Sequence, residues 1–486
     1  MSDFPQSTFG LIRSAGAYLA DFATPTVRLG VTGLARSGKT VFITALVRNL
    51  VSDGRLPFFR PQAEGRIVRA YLAPQPDDDV PRFAYEEHLD VLAREPPDWP
   101  EGTRRISQLR VTVEYVAAGA LKRRLGVQRL HVDIVDYPGE WLTDLALMGQ
   151  SYGDWCAAAL EAARDPRRAT AAAPFLAWLG QTPADALADE QAAIAGAALF
   201  THYLRAARDA GISEPTLGPG RFLLPGELEG SPLLTFFPLA RSAGEAITRG
   251  SLAAMLERRF EAYKARVVRP FFRDHFARLD RQVVLVDALS AIDAGPAALA
   301  DLEASLASVL AAFRPGAPAW LQSVMPRRID RILFAATKTD HLHQTSHDRL
   351  ETILAELTRR AGARATGAGA EVKAIAIAAL RATKEAEMVR GRERLACIIG
   401  TPLPGERIGR DVFDGRKPAA IFPGDLPGDA SAALAGEARR HLDADVRVVR
   451  FRPARIPPDA PDGTPAPWPH IRLDRALDFL IGDRLG

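Results

Sequence analysis

Residues 27–50 read VRLGVTGLARSGKTVFITALVRNL. An apolar run from Val27 leads into Gly33-Leu34-Ala35-Arg36-Ser37-Gly38-Lys39-Thr40, and a helical apolar pattern continues from Val41. The octet fits G-x-x-x-x-G-K-[ST] with a strand before it and a helix after it, the context this motif needs. Its glycines let the backbone curl so that successive N–H groups face a β-phosphate, and the helix N-terminus adds positive potential. Lys39 is placed to neutralise β/γ oxygens, and Thr40 to ligate Mg²⁺. The expected phosphate-contacting run is therefore Gly33 to Val41. A glycine-rich turn that binds nothing is the competing reading, and it is disfavoured because both flanking elements are present.

Further β-branched runs begin at Gln108 (QLRVTVEYV), Arg129 (RLHVDIVD), Gln282 (QVVLVDAL), Arg331 (RILFAAT) and Val372 (VKAIAIA). Most are dense apolar runs separated by helical patterns, which predicts a mostly parallel sheet covered on both faces. QLRVTVEYV and RLHVDIVD are joined by only a short stretch and predict an antiparallel pair on one edge. The fold class expected is α/β, a P-loop NTPase core carrying a large α-helical insertion and a small C-terminal appendage. The expected divisions are an amphipathic segment over 1–23 (Leu11, Ile12, Ala15, Leu19, Phe22) and a core over 24–140 and 282–400. An Ala-rich helical insertion covers 141–281, and an α/β appendage over 401–486 includes a strand at VRVVRF (446–451) and a closing helix.

Two further motifs carry chemistry. In VDIVDYPGE, Asp136 ends a strand and Gly139 follows at D-x-x-G spacing. A carboxylate there can hold a metal through water, and a glycine N–H three residues on can sense a γ-phosphate. In TKTD (337–340), Asp340 can accept from the N1–H and exocyclic amine of guanine, with Lys338 along the ring and Thr337 opening the motif. Each motif alone is weak: D-x-x-G is usually a turn, and an isolated TKxD can be a helix cap. The three occur in order, each at the end of its own predicted strand.

This ordered set resembles the translation-factor-like class of P-loop GTPases. The segments DYPGEWLTDL, TKTDHL and PWPHIRLDRALDFL are more narrowly similar to the YcjX-like stress-protein family of bacteria, over nearly the whole chain. The resemblance implies a GTP- and GDP-binding P-loop protein linked to envelope or phage-shock stress, with no settled cellular task, and proximity to the inner membrane. With the motif residues it makes Mg²⁺ the expected cation, and the departure at Glu140 makes slow hydrolysis, or hydrolysis through another group, the expectation for a nucleotide-controlled switch. It places Ala378 and Ala379, in IAIAALRAT, where backbone N–H groups meet the base carbonyl, although the usual serine is missing. It also places switch I between Lys39 and Gln108, with Thr103 of WPEGTRRIS as candidate metal-capping threonine, against the alternative of a turn threonine. The residue after D-x-x-G is Glu140 where a water-orienting glutamine is common, and a carboxylate there suffers repulsion from a γ-phosphate. Arg36, inside the loop, is a candidate catalytic cation beside Lys39, against the alternative of a solvated side chain.

Length and composition support a folded protein of two to four units, or one large domain carrying insertions: 486 residues, 47% hydrophobic and 25% charged. A net charge of +3 without a basic tail argues against nucleic-acid binding. Cys156 and Cys397 stand alone, so neither a disulfide framework nor a zinc site is expected. No apolar stretch suits a membrane span and no secretory leader begins the chain, so the expected location is cytoplasmic, peripheral to the inner membrane at most. Asp287 and His341, His343 and His347 are read as structural, solvated or capping residues. The expected partners are a guanine nucleotide and an unknown protein reached through the insertion. Two alternatives stay open: an ATPase of the same fold, and an interaction scaffold with a structural nucleotide.

Overall fold

The computed structural model describes residues 24–33, 36–52, 54–103, 105–210, 212, 218–240, 247–311, 329–367, 369–426, 447–456, 459, 461 and 466–486. The expected amphipathic stripe within 1–23 lies outside them, as do Leu34, Ala35 and Val446.

The apolar runs form the strands β1 (Thr26–Gly33), β3 (Ser107–Val116), β4 (Val127–Asp136), β5 (Arg281–Val286), β6 (Arg331–Ala336) and β7 (Glu371–Ala376). A further strand, β2 (Ile67–Ala73), completes a seven-stranded sheet of order β2-β3-β4-β1-β5-β6-β7. The pairs from β4 through β1 to β7 are parallel, and β2–β3 and β3–β4 are antiparallel. The expected edge pair is thus present, but β2 lies outside it. IVRAYLA was missed because an edge strand needs no dense apolar run, and only part of each side chain here is covered.

Alternate residues on the central strands enter opposite cores, as the period of two requires. Val283 and Leu285 join one core with Val27, Leu29 and Val31, whereas Val284 and Val286 join the other. Helix α1 (Lys39–Val51) and, near the chain end, α8 (Leu473–Ile481) cover the first face. The second face is covered by α6 (Pro296–Ala311), α7 (His347–Gly367) and helices that follow β4.

The chain between β4 and β5 is helical: α2 (Tyr152–Ala163), α3 (Ala169–Leu179), α4 (Glu190–Asp209) and α5 (Leu252–Tyr263), with shorter turns. Ser151, Asp189 and Ser251 cap α2, α4 and α5 by accepting from backbone N–H groups of the first turn. Aromatic side chains fill its centre, where Trp155 stacks on Phe260 at 5.2 Å and meets Phe236 edge-on at 5.4 Å.

After the main sheet, β8 (Lys384–Arg390), β9 (Glu393–Gly400) and β12 (Ala419–Ile421) form a three-stranded antiparallel sheet beside a small β10–β11 ribbon (Arg407–Ile408, Asp411–Val412). This sheet starts at Lys384, within the stretch expected to belong to the core. VRVVRF forms no strand in its described part, and Phe451 makes only an isolated bridge to Pro402.

Candidate functional site

β1 lies between β4 and β5, with Val31 opposite Asp136 and Gly33 opposite Leu285. A Cβ at Gly33 would stand 2.2 Å from Ser37 Oγ and 2.8 Å from the Leu285 carbonyl, so only glycine fits beneath the loop. Arg36 (φ 63°) and Gly38 (φ 85°) both adopt the left-handed conformation that turns the chain into α1. Gly38 supplies no side-chain cap, leaving the first-turn amides of α1 without a side-chain acceptor, and a Cβ there would meet open space. Ser37 Oγ is buried without a hydrogen-bond partner. An open row of amides, an orphaned hydroxyl and Lys39 suit an anionic phosphate group.

The second motif is brought directly against the first. Lys39 Nζ lies 3.7 Å from Asp136 Oδ1, and Thr103 Oγ1 donates to Asp136 Oδ2 at 2.5 Å. Thr40 Oγ1 donates to the Glu101 carbonyl at 3.3 Å. Thr103 is therefore held at the Asp136 carboxylate and is not a remote turn residue. Burial raises the Asp136 pKa, opposed by the Lys39 ammonium and the Thr103 hydroxyl. Thr40, Thr103 and Asp136 form an all-oxygen donor set suited to a hard divalent cation, and Asp136 Oδ1 has no hydrogen-bond donor. Gly139 packs on β1 itself: a Cβ there would stand 2.7 Å from the Gly33 carbonyl oxygen. The glycine of D-x-x-G thus has a packing reason of its own.

The third motif closes the same end of the sheet. β6 is separated from β1 by β5 alone, so the strand end that carries Thr337–Asp340 lies two inter-strand steps, about 10 Å, from the end of β1. The Thr337 N–H donates to the Val286 carbonyl at 2.9 Å. Lys338 (φ 60°) forms an ion pair with Asp287. Asp340 is buried and accepts from the Ala382 N–H at 2.7 Å through Oδ2. A carboxylate has about four lone-pair sites, so it retains capacity for two base donors.

Ala378 departs from expectation. Its N–H donates to the Ile471 carbonyl at 3.1 Å, so it does not face a base carbonyl. The cause is the C-terminal chain folding back onto this loop, which no local pattern announces. Ala379 remains, with no partner for its amide among the described residues.

Glu140 is buried at the start of the helical region, its carbonyl packed so closely on Gly220 that a Cβ there would stand 2.0 Å away. Arg36 is exposed. Asp287 caps the helix after β5 through the Ser290 N–H at 3.2 Å besides holding Lys338, so the structural reading of it stands. The three histidines are buried rather than solvated: His343 caps a turn, His347 contacts the Leu342 carbonyl, and His341 packs edge-on against Phe451. Among the described residues no group of three or more His, Cys, Asp or Glu could hold a metal ion. Glu101, Glu351 and Ile471 were not singled out by sequence, because each acts through a tertiary contact with no motif of its own.

Lys39, Asp136 and Asp340 thus lie at the same end of the sheet, just beyond or at the ends of β1, β4 and β6. The profile of the YcjX-like family, DUF463, matches residues 27–485. The chain belongs to that family. It is 35% identical to the Ras-like GTPase YcjX of Escherichia coli K12 over 469 residues, covering 94% of this chain and 96% of that protein. It is 33% identical to the Ras-like GTPase YcjX of Shewanella oneidensis over 483 residues, 94% of each. Both relatives are described as Ras-like GTPases, and this chain has the α/β fold of a P-loop NTPase. No helix among the described residues is long and apolar enough to cross a membrane.

Proposed function

We propose that this protein binds GTP and GDP with Mg²⁺, hydrolyses GTP slowly, and uses the change as a switch in bacterial stress response. The observation that carries the reading is the convergence of Lys39 and Thr103 on the two oxygens of Asp136, beside Thr40. In this reading Gly33 to Val41 cradle the phosphates, Thr40 and Thr103 ligate Mg²⁺, and Asp136 holds it through water. Gly139 senses the γ-phosphate, and Thr337, Lys338, Asp340 and the Ala379 amide read guanine. The cation supplies charge neutralisation at the β- and γ-oxygens.

Slow turnover follows from the residues around the attacking position. Glu140 stands where a neutral water-orienting side chain is common, and Arg36, exposed on the loop, is the candidate catalytic cation beside Lys39. The stress role, and any inner-membrane association, rests on family resemblance. Glu140 and Trp141 join Gly139 directly to the helical region, which would carry the switch to a protein partner. Trp141 is buried and its Nε1–H donates to the Leu224 carbonyl at 3.0 Å, so a shift at Gly139 is transmitted into packed structure.

Calorimetric titration of purified protein with GDP, GTPγS and ATP in Mg²⁺ tests the reading. Tight GDP binding with ATP at least tenfold weaker supports it. ATP bound as well as GTP selects an ATPase instead.

A further inference from the structure

The loop 376–383, which follows β7 and faces the base side of the site, is held from three directions. Asp340 accepts from the Ala382 N–H at 2.7 Å, and its carbonyl accepts from the Thr383 hydroxyl. Glu351, on α7, accepts from the Ala376 N–H at 3.1 Å. The third hold comes from the far end of the chain. Ile471 and Ala378 exchange both backbone hydrogen bonds, at 3.1 and 2.8 Å, and the Arg381 N–H donates to the Pro469 carbonyl at 2.9 Å.

This C-terminal segment is itself anchored on either side. Upstream, the Trp468 N–H donates to Asn49 Oδ1 at 3.1 Å, on the same helix that begins at Lys39. Downstream, Arg472 sits in the left-handed conformation (φ 56°) and pairs with Asp348 and, at 2.7 Å, with Glu351. One Glu351 oxygen thus serves both the loop and the segment. α8 then packs into the core on the α1 face of the sheet, against β6. The segment spends its main chain on the base loop and its flanking groups on the phosphate helix and α7, which is more than closing a core requires.

We propose that Trp468–Arg472 is a positioning strap for guanine recognition, pinning Ala378 so that the neighbouring Ala379 amide and the Asp340 carboxylate face the base. The proposal rests on the guanine reading of the site given above. Ala378 is the fixed point: its amide is committed to the Ile471 carbonyl, while no partner among the described residues takes the Ala379 amide. Because linkage is reciprocal, bound GDP stiffens the strap, and whatever lifts the strap weakens guanine-nucleotide binding, mostly through faster release.

The test uses the full chain with Ile471→Pro, which removes the N–H that reaches Ala378, and Ile471→Val, which keeps it. Arg472→Ala and Arg472→Lys form a second pair. Affinities for GDP, ADP and inorganic pyrophosphate are measured in Mg²⁺, together with the GDP release rate. Ile471→Pro and Arg472→Ala are expected to lower GDP affinity about fivefold to tenfold, as for one lost hydrogen bond, leaving ADP and pyrophosphate unchanged. Ile471→Val should match the parent and Arg472→Lys should restore part of the loss. GDP, ADP and pyrophosphate affinities that fall together, or an unchanged GDP affinity in folded variants, overturn the strap. If Ile471→Pro does not fold, the Arg472 pair decides. A parent protein that binds GDP no better than ADP refutes the guanine reading itself, and the strap with it.

Discussion

Gly139→Ala is the perturbation whose size the structure sets most directly. The added methyl carbon would lie 2.7 Å from the Gly33 carbonyl oxygen, 3.0 Å from its carbon and 3.3 Å from Thr32 Oγ1. Neither side can yield freely. β1 is locked between the β4 and β5 ladders. On the other side, Tyr137 Oη donates to Gln282 Oε1 at 2.8 Å, and Trp141 is buried with the Arg221 guanidinium 3.2 Å from its ring centre. Overpacking of this kind costs about 1 to 3 kcal/mol. Urea unfolding should therefore show a loss of that size with an unchanged slope. The displacement also carries the residue-139 amide away from the phosphate loop, so GTPγS affinity should fall at least tenfold more than GDP affinity. Unchanged stability would refute the packing argument. A stability loss with the GTPγS-to-GDP ratio preserved would refute the assignment of Gly139 as γ-phosphate sensor.

Asp340→Asn should weaken GDP binding by at least tenfold and shift preference towards xanthosine diphosphate, as measured by competition; equal loss for both nucleotides would refute direct base reading. Arg36→Ala should slow GTP turnover at least tenfold while changing GTP affinity less than threefold in single-turnover and binding assays, because an exposed loop cation acts only when charge develops. Asp144 provides a pH test away from the nucleotide. Buried beneath Tyr263 Oη (2.6 Å) and the Gly220 N–H (2.7 Å), its carboxyl pKa is pushed up from 3.8 to about 6, chiefly by desolvation. The folded state therefore holds this proton more tightly than the unfolded chain, and the contribution is complete below pH 3.8 and lost as pH rises through about 6. The loss is of the order of 3 kcal/mol. Asp144→Asn, which mimics the protonated form, should flatten that part of the unfolding free-energy profile between pH 4 and 7, and parallel profiles would refute it.

The sheet was legible where burial on both faces forces dense apolar runs, as in RQVVLV and RILFAA. It was not legible at β2, whose half-exposed side chains impose no such pattern, nor at β8 and β9, whose exposed faces carry Lys384, Glu387 and Glu393. The Gly33–Thr40 loop and TKTD were legible because each sets a distinctive combination of residue types within a few positions of one strand end. Thr103 could be nominated only by its place between two motifs. Its meeting with Asp136 depends on how a long connection folds back across the sheet.

Local sequence alone determined the strand-loop-helix of Gly33–Thr40, the antiparallel β3–β4 pair, the helical character of the chain after Gly139 and the amphipathic closing helix, since each follows from spacing and periodicity within a few turns. Tertiary structure decided which amide of the 378–379 pair is spoken for, that Lys338 is paired with Asp287, and that Arg472 and Glu351 brace the base loop. Those contacts join residues far apart in the chain, and their pairing energy depends on the packed positions of strands and helices rather than on neighbours in sequence.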